Sequence, residues 1–377
     1  MKIKPEELYN ILSSQGIDFF TGVPDSTIKY FCFYLEDDLP KSNHVIAANE
    51  GNSIAIATGY HLSTGKIPLV YMQNSGLGNA INPLTSLVDK ELFAIPMLIM
   101  IGWRGEPGKK DAIQHLKDGR IQIDLLESLE LPYTILPSEN YDIESQISDS
   151  IKVAKESQSP YVILVRKNSF EPYYSKDSRT NPSSLMSREE AISGIIDQLT
   201  IDDVVISTTG KASRELHDLR NRSDSMNKGD FLVVGSMGHA SSIALGVALQ
   251  ESERNIYCID GDGALIMHMG ALCTIGKYST PNFRHILINN FSHESVGGQE
   301  SSSDVTDYSE LSKAVSYNNY FKISKMSEFQ KIFRNFQKNI GPSFLEIVVA
   351  PGSRSDLSRP DFTPLENKKR FMEFLGY

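Results

Sequence analysis

The chain has 377 residues, of which 40% are hydrophobic, and its formal net charge is −10 at pH 7. This length allows two domains with a large buried core. The negative charge argues against the basic surface that nucleic-acid binding requires, and no apolar run reaches the roughly 18 residues of a membrane helix. The N-terminal residues Met1 to Leu8 turn polar at once, which is not the pattern of a secretory signal.

Three cysteines, Cys32, Cys258 and Cys273, show no metal-ligand spacing. Two of them lie in apolar segments, so reduced, buried thiols are expected. Together with the polar N-terminus, this predicts a cytoplasmic protein.

In the first half, strand and helix patterns alternate. The stretch 19–24 is a predicted strand, and Asp25 or Ser26 is expected to cap the helix that follows as far as residue 36. His115 falls in a polar stretch that is predicted to be mobile, before a helix near 121–129. The other predicted elements are strands at 44–48, 68–72, 96–101, 133–136 and 161–165, a small-residue helix at 50–62, and helices that end near residues 90 and 156.

Residues 170–187 mix Pro, Ser, Tyr and charged residues without periodicity, which is typical of a linker. The alternation then resumes. Its predicted elements are helices at 188–199, 211–220, 243–249, 264–278, 308–315 and 327–336 and strands at 204–208, 231–234, 256–259, 286–288, 321–324 and 344–350. The predicted fold class is therefore α/β, with two doubly wound parallel-sheet domains at 1–169 and 188–377.

Two strand ends in the second half carry the most informative residues. The apolar run 256–259 ends at Gly261-Asp262-Gly263, and the run 286–288 ends at Asn289-Asn290. A helix between them makes a parallel crossover, which places both strand ends at one edge of the sheet. Asp262 and Asn290 are therefore expected to approach each other, and their oxygen atoms suit Mg²⁺. The glycines on either side of Asp262 allow a diphosphate to approach the backbone.

G-D-G followed at this distance by N-N resembles the thiamine-diphosphate signature, whereas a lone G-D-G fits any strand that ends in a tight turn. The resemblance implies a pyrimidine-binding domain at 1–169 and a diphosphate-binding domain at 188–377, with thiamine diphosphate and Mg²⁺ as cofactors. Larger decarboxylases of the family insert a third domain, for which the linker here is too short. The chain therefore resembles the compact subfamily of phosphonopyruvate and sulfopyruvate decarboxylases, which implies a homo-oligomer, at least a dimer, with active sites at the subunit interface.

The resemblance also implies which residues hold the cofactors. Glu50 on its own could simply favour the first turn of a helix. In this family a glutamate at this place hydrogen-bonds the aminopyrimidine ring and shares a proton with it. The carbonyl of Gly235 would accept from the aminopyrimidine, and Met237 would support the bent cofactor. The backbone carbonyl of Ser292 would complete the metal ligands.

Four further residues are candidates for the reacting centre. His115, in the run D-A-I-Q-H, resembles the family's active-site histidine in a mobile loop, although Ala-Ile replaces the more usual Glu-Pro. His293, three residues after the second asparagine, would reach over the reacting centre. Both could instead be solvated loop histidines. Asp25 and Ser26 resemble the start of the subfamily's site, where they would orient the substrate or a proton.

A keto acid with a second anionic group needs a cation to recognise its tail. Arg104 follows a predicted strand among glycines, where its guanidinium could bind a phosphonate. Arg354 and Arg359 follow the last strand and could close over the site. Each of the three could equally be a surface arginine.

The reaction implied by the resemblance is conversion of 3-phosphonopyruvate to phosphonoacetaldehyde and CO₂, in phosphonate biosynthesis, with phosphonopyruvate mutase as the upstream partner. Two alternatives stay open, namely sulfopyruvate as the substrate and a non-catalytic thiamine-diphosphate-binding subunit. Both halves of the signature are present, which favours an enzyme.

Overall fold

The computed structural model describes residues 2–137, 142–176, 184–222 and 229–377. The chain divides into two compact units, Met1–Arg179 and Thr180–Tyr377. Each unit contains one six-stranded sheet whose strands all pair in parallel. The predicted linker at 170–187 lies partly outside the described residues, because 177–183 are not among them.

The sheet of the first unit has the strand order β2-β1-β3-β4-β6-β5. Its strands are β1 (Phe20–Gly22), β2 (His44–Ile46), β3 (Leu69–Gln73), β4 (Leu98–Gly102), β5 (Tyr133–Leu136) and β6 (Tyr161–Val165). Its helices are α1 (Pro5–Ser14), α2 (Lys29–Asp38), α3 (Glu50–Thr64), α4 (Leu77–Ser86), α5 (Ile113–Ser128) and α6 (Ile143–Ser157). A single 3₁₀ turn, Asn74–Gly76, joins β3 to α4.

Both faces of this sheet are covered, as the continuous apolar strands predict. Along β4, Leu98 and Met100 belong to one buried cluster, and Ile99 and Ile101 belong to another. Successive side chains of a strand point to opposite faces. The alternation therefore places one hydrophobic core on each side of the sheet, which is the doubly wound arrangement expected from the sequence.

The second unit repeats the plan with the strand order β11-β12-β10-β9-β7-β8. Its strands are β7 (Val204–Ser207), β8 (Asp230–Leu232), β9 (Ile256–Gly261), β10 (Phe283–Asn289), β11 (Asn319–Ile323) and β12 (Ser343–Val348). Its helices are α7 (Arg188–Ile196), α8 (Lys211–Arg222), α9 (Ala240–Ala248), α10 (Asp262–Met267), α11 (Ala271–Tyr278), α12 (Tyr308–Ala314), α13 (Met326–Lys338) and α14 (Pro364–Leu375).

The crossover between β9 and β10 is confirmed, since the two strands pair in parallel from Ile256 opposite Phe283 to Gly261 opposite Ile288. The prediction of a single helix at 264–278 is wrong. The segment forms two helices, α10 and α11, which are separated at His268, because the backbone of that residue (φ −131°, ψ 43°) leaves the helical region. Gly270, a poor helix former, follows two residues later.

Other differences concern where helices begin. The first and last helices, α1 and α14, were not predicted from the sequence, although α14 begins with a capping box between Thr363 and Glu366. The expected cap at Asp25 or Ser26 is wrong, because α2 begins at Lys29 and its N-terminus has no side-chain cap.

Cys273 is exposed, while the other two cysteines are buried; all three are free. Within the described residues, no helix combines the length and apolarity needed to span a bilayer.

Candidate active site

Glu50 begins α3, which follows β2 after a short turn, and Asn49 caps the helix by accepting the Asn52 N–H at 2.9 Å. The side chain of Glu50 is buried, with 4% of its surface exposed. One oxygen, Oε2, accepts a hydrogen bond of 2.8 Å from Asn79 Nδ2. Burial raises the pKa of Glu50, and the hydrogen bond from Asn79 opposes this. The group can therefore keep a proton at a pH where an exposed glutamate would have lost it.

The other side of Glu50 lies against the turn that joins β3 to α4. A Cβ atom at Gly76 would come within 2.7 Å of Glu50 Cγ and would overlap the carboxyl group. The same turn begins at Asn74, whose Nδ2 donates to the carbonyl of Arg104 at 2.8 Å and whose Oδ1 accepts the Arg104 N–H at 3.1 Å. This turn therefore connects Glu50 to the segment that follows β4.

Arg104 lies in that segment, and its guanidinium is already bound. Its Nε and Nη2 donate to the two carboxylate oxygens of Asp111 at 2.8 and 2.5 Å, and its Nη1 donates to Ser26 Oγ at 2.8 Å. Asp111 also accepts the N–H groups of Gly105 and Ala112. Burial alone would raise the pKa of Asp111, but the hydrogen bonds from Arg104 and the backbone hold it well below its usual range.

Asp25 lies next to this group and is completely buried. It does not cap α2. Instead, its Oδ2 accepts the Thr27 N–H at 2.8 Å and its Oδ1 accepts the side-chain amide of Gln73. Burial raises the pKa of Asp25, and these hydrogen bonds together with the charge of Arg104 oppose the rise. The first unit thus brings together Asp25, Ser26 and Arg104, three of the residues singled out from the sequence.

His115 lies in the first turn of α5, so the prediction that it belongs to a loop is wrong. This helix begins eight residues before the predicted one because tertiary contacts hold its polar start. The indole N–H of Trp103 donates to the carbonyl of Gly119 at 3.0 Å, and both Gly105 and Gly119 lack the Cβ that would clash where loop and helix meet. The His115 carbonyl lies against Gly105, directly beside Arg104.

In the second unit, Asp262 and Asn290 come together although 28 positions separate them in the chain. Both are buried, with 3% and 6% of their surfaces exposed. The N–H of Ser292 donates to Asn290 Oδ1 at 3.1 Å, and it also hydrogen-bonds Asp262. Ser301 Oγ donates to Asp262 Oδ2. Burial raises the pKa of Asp262 to about 6, although these hydrogen bonds oppose the rise.

His293 and Met237 lie against the glycine that follows Asp262. A Cβ at Gly263 would stand 2.8 Å from His293 Nδ1 and 3.4 Å from Met237 Cε. Met237 belongs with Gly235 to the turn between β8 and α9. His293 is 8% exposed, and burial lowers its pKa to about 4, so its imidazole is neutral near pH 7.

Comparison with known proteins identifies the family. The thiamine pyrophosphate enzyme, N-terminal TPP binding domain, matches residues 6–124, and the thiamine pyrophosphate enzyme, C-terminal TPP binding domain, matches residues 208–347. The chain belongs to the thiamine pyrophosphate enzyme family. Within this family it groups with decarboxylases.

Three relatives show this grouping over nearly their whole length. The chain is 30% identical to the phosphonopyruvate decarboxylase of Streptomyces viridochromogenes, over 97% of this chain and 93% of the relative. It is 31% identical to that of Streptomyces hygroscopicus, over 96% and 92%. It is also 29% identical to the sulfopyruvate decarboxylase of Methanosarcina acetivorans, over 99% and 98%.

Residues of the second unit have the chemistry needed to hold Mg²⁺ and the diphosphate of thiamine pyrophosphate. The carboxylate of Asp262, the amide oxygen of Asn290 and the carbonyl of Ser292 are hard oxygen donors, which is the set that Mg²⁺ prefers. At Gly261, the nearest atom to an added Cβ is Thr208 Cγ2 at 4.0 Å, so the backbone there is open to an approaching group. The donor chemistry and the open backbone are both compatible with a metal-bound diphosphate.

Sequence reasoning missed Glu294, which belongs to a partly buried ionic network in contact with Asn290. Glu294 Oε2 accepts from Asn290 Nδ2 at 2.8 Å and from Arg188 Nη1 at 2.7 Å, while its Oε1 accepts from Lys211 Nζ at 2.8 Å. Arg188 also binds both carboxylate oxygens of Glu215. Burial alone would raise the pKa of Glu294, but the two cations lower it to about 2. The only sequence signal was its position, four residues after Asn290.

Arg354 and Arg359 are placed differently from Arg104. The Nε–H of Arg354 donates to Glu189 at 2.8 Å, and its Nη1–H donates to Asp356 at 3.0 Å. Its Nη2 binds Asp218. Its fork is therefore occupied by three carboxylates. Arg359 is exposed, and its positive charge acts on the neighbouring Arg214.

A second group in this unit has the residue types of a metal site. Cys258, Asp260 and His285 are completely buried on β9 and β10, with His285 Nε2 3.6 Å from Asp260 Oδ2. His285 Nδ1 also hydrogen-bonds the Tyr317 hydroxyl at 2.8 Å. These side chains face the hydrophobic core, so we interpret them as an internal polar cluster that supports the two strands that precede Asp262 and Asn290.

Proposed function

We propose that the protein decarboxylates 3-phosphonopyruvate to phosphonoacetaldehyde and CO₂, with thiamine diphosphate and Mg²⁺. The observation that carries the proposal is the full-length likeness to phosphonopyruvate decarboxylases combined with a buried Glu50 of raised pKa. In this reaction the bond between C1 and C2 breaks, C1 leaves as CO₂, and C2 takes up a proton to become the aldehyde carbon. Thiamine diphosphate, when bound, supplies the electron sink for the pair left on C2.

The protein residues would hold and move protons. Glu50, whose pKa burial raises, would share its proton with the ring nitrogen of the aminopyrimidine. Asp25 is the proposed donor of a proton to the substrate, because burial favours its protonated form. His293, neutral near pH 7, and His115 would orient polar groups of the substrate. Glu50, Asp25 and His293 are buried, whereas His115 is partly exposed.

The diphosphate half of the cofactor would bind in the second unit. Asp262, Asn290 and the carbonyl of Ser292 are the proposed Mg²⁺ ligands. Gly261 and Gly263 would allow the diphosphate to approach the backbone, since a side chain at 263 would meet His293. Gly235 and Met237 would contact the aminopyrimidine side of the cofactor.

The substrate tail is assigned to Arg104 and Ser26. Of the five guanidinium N–H groups of Arg104, Asp111 and Ser26 take three, so among the described residues two are left that could bind a phosphonate. Ser26 Oγ is close enough to share that anion. Arg354 and Arg359 stay as further proposed substrate contacts, although Arg354 would first have to release carboxylates.

Sulfopyruvate is the second candidate substrate, and the 29% identity to a sulfopyruvate decarboxylase over 99% of the chain favours it. A sulfonate carries a single charge, so it needs less positive pairing than a phosphonate. A non-catalytic cofactor-binding subunit is a third candidate. Such a protein would tolerate loss of Glu50 or of a metal ligand, and both are present here.

The cellular setting is also part of the proposal. Phosphonopyruvate mutase would act upstream in phosphonate biosynthesis, and the chain would form a homo-oligomer with active sites between subunits. Three free cysteines support a cytoplasmic location. The domain limits proposed from the sequence are kept. Residues 1–169 would bind the pyrimidine half of thiamine diphosphate, residues 188–377 would bind the diphosphate half and Mg²⁺, and residues 170–187 would link the two.

The deciding experiment measures CO₂ release by the purified protein with phosphonopyruvate, sulfopyruvate and pyruvate in parallel. Each substrate is tested with both cofactors, without thiamine diphosphate, and after Mg²⁺ is removed by a chelator. We expect turnover of phosphonopyruvate that needs both cofactors and exceeds pyruvate turnover about 10- to 100-fold, the value of one charge-assisted hydrogen bond. Preference for sulfopyruvate would select the second candidate, and no release from any keto acid would select the third.

A further inference from the structure

The side-chain amide of Asn290 has a defined orientation. Its Nδ2 lies 2.8 Å from Glu294 Oε2, and its Oδ1 lies 3.1 Å from the backbone nitrogen of Ser292. An ionised carboxylate can only accept hydrogen bonds, so it selects the NH₂ end of the amide. The backbone N–H can only donate, so it selects the oxygen. Both neighbours therefore favour the same one of the two possible amide orientations.

Glu294 is itself held in place. Arg188 and Lys211 bind its two oxygens at 2.7 and 2.8 Å, and they come from helices α7 and α8 respectively. The side chain of Arg188 is only 7% exposed, and Glu215 fixes it with two further hydrogen bonds of 2.7 and 2.8 Å. The carboxylate beside Asn290 is thus anchored to two helices rather than free to rotate.

We infer that Glu294 is a positioning residue for the bound metal: by accepting from Asn290 Nδ2, it turns the amide oxygen toward the side on which Asp262 lies. A flipped amide would direct its NH₂ group, which carries partial positive charge, toward the cation. This inference rests on the proposed function, in which Asn290 ligates Mg²⁺. Partners that orient a metal ligand typically contribute about 10- to 100-fold to metal affinity.

The test compares Mg²⁺ affinity in four full-length proteins, namely the wild type, Glu294→Gln, Glu215→Gln and Asn290→Ala. Glutamine at 294 keeps the size of the side chain but can present either end of its own amide, so it no longer selects one orientation. Glu215 is the matched control, because its substitution also removes a carboxylate from Arg188 but leaves the direct bonds of Glu294 to Arg188, Lys211 and Asn290 available. Calorimetric titration of Mg²⁺ into protein with thiamine diphosphate gives the affinity without reference to turnover.

We expect Glu294→Gln to weaken Mg²⁺ binding about 10- to 100-fold, with kcat at saturating Mg²⁺ changed much less, and Glu215→Gln to stay within about twofold of the wild type. If Glu294→Gln binds Mg²⁺ as tightly as the wild type and Asn290→Ala binds it weakly, the inference is overturned and the metal assignment stands. If Asn290→Ala binds Mg²⁺ as the wild type does, the metal assignment of the proposed function fails as well.

If Glu294→Gln does not fold, Glu294→Asp takes its place in the test. It keeps the charge that Arg188 and Lys211 require, but its shorter side chain draws the carboxylate back from the amide nitrogen. The inference predicts weaker Mg²⁺ binding for this variant too. Wild-type affinity in Glu294→Asp would contradict it.

Discussion

Gly76 and Glu50 share a space that has no room for one more carbon atom. A Cβ at position 76 would overlap the Glu50 carboxyl group and come within 2.7 Å of its Cγ. The Glu50 carboxyl group is also hydrogen-bonded by Asn79, whose Nδ2 donates to Oε2 at 2.8 Å, and by its own backbone N–H. Gly76 therefore limits where the carboxyl group can be, and Asn79 fixes it there.

The Gly76→Ala variant tests this contact. The added methyl group should displace Glu50 and lower kcat about 10²-fold, which is the typical effect of a misplacement of about 1 Å. The matched control is Gly59→Ala in the same helix as Glu50, where, apart from the adjoining backbone, no atom of the described residues lies within 4 Å of an added Cβ. That variant should gain about 0.5–1 kcal/mol in free energy of unfolding and keep its activity. Wild-type kcat in Gly76→Ala would show that the position of Glu50 does not matter.

Glu50→Gln removes the ionisable proton with little change in shape. Glutamine can still accept the hydrogen bond from Asn79, so the free energy of unfolding should stay close to that of the wild type. We expect kcat to fall about 10²- to 10⁴-fold, the usual contribution of a positioned acid or base. The rise in Tm on adding thiamine diphosphate and Mg²⁺ should remain. Full turnover by this variant would rule out the proposed proton role.

Arg104→Met should selectively affect the substrate that carries a second anion. Loss of one charge-assisted hydrogen bond predicts a fall of about 10- to 100-fold in kcat/KM for phosphonopyruvate and little change for pyruvate. The single variant would leave Asp111 buried without its cation, which destabilises a fold by about 3–5 kcal/mol. The double variant Arg104→Met/Asp111→Asn removes both charges and separates substrate binding from stability. An equal loss for both keto acids in the double variant would argue against a contact with the tail.

His293 should make stability depend on acidity. Its pKa is lowered by burial from the ordinary value of 6.5 to about 4, so the folded state disfavours its protonated form. The resulting stabilisation is present above pH 6.5 and is lost as the pH falls toward 4, with a maximum of about 3 kcal/mol. Urea unfolding of the cofactor-free protein at pH 7.5 and pH 4.5 measures this loss. His293→Gln should lose less stability over the same interval, and identical losses would refute the assignment.

The parts of the fold that depend on local pattern were predictable from the sequence. Strands β5 and β6 were predicted with their observed limits, 133–136 and 161–165, because apolar runs flanked by turn residues leave little choice. The approach of Asp262 and Asn290 followed from the rule that parallel crossovers place strand ends at one edge. These inferences needed only the period of the apolar residues and the handedness of the connection.

What the sequence could not show depends on contacts between distant residues. The start of α5 is polar, and it is helical because Trp103 and Gly105 pack against Gly119. The cap predicted at Asp25 failed since that carboxyl group is hydrogen-bonded by Gln73 and Thr27 instead. No spacing rule links Arg104 to Ser26, which lies 78 positions earlier in the chain.

The pairing of Arg104 with Asp111 also has a consequence for electroneutrality. The positive charge of the guanidinium is cancelled by the carboxylate, whose pKa lies well below its usual range, so the pair offers an anion directed N–H groups without net charge. Both negative charges of a phosphonate tail bound there would therefore remain without a compensating positive charge. A phosphonate bound beside this pair would therefore need a further cationic group, since a buried charge without a partner is costly.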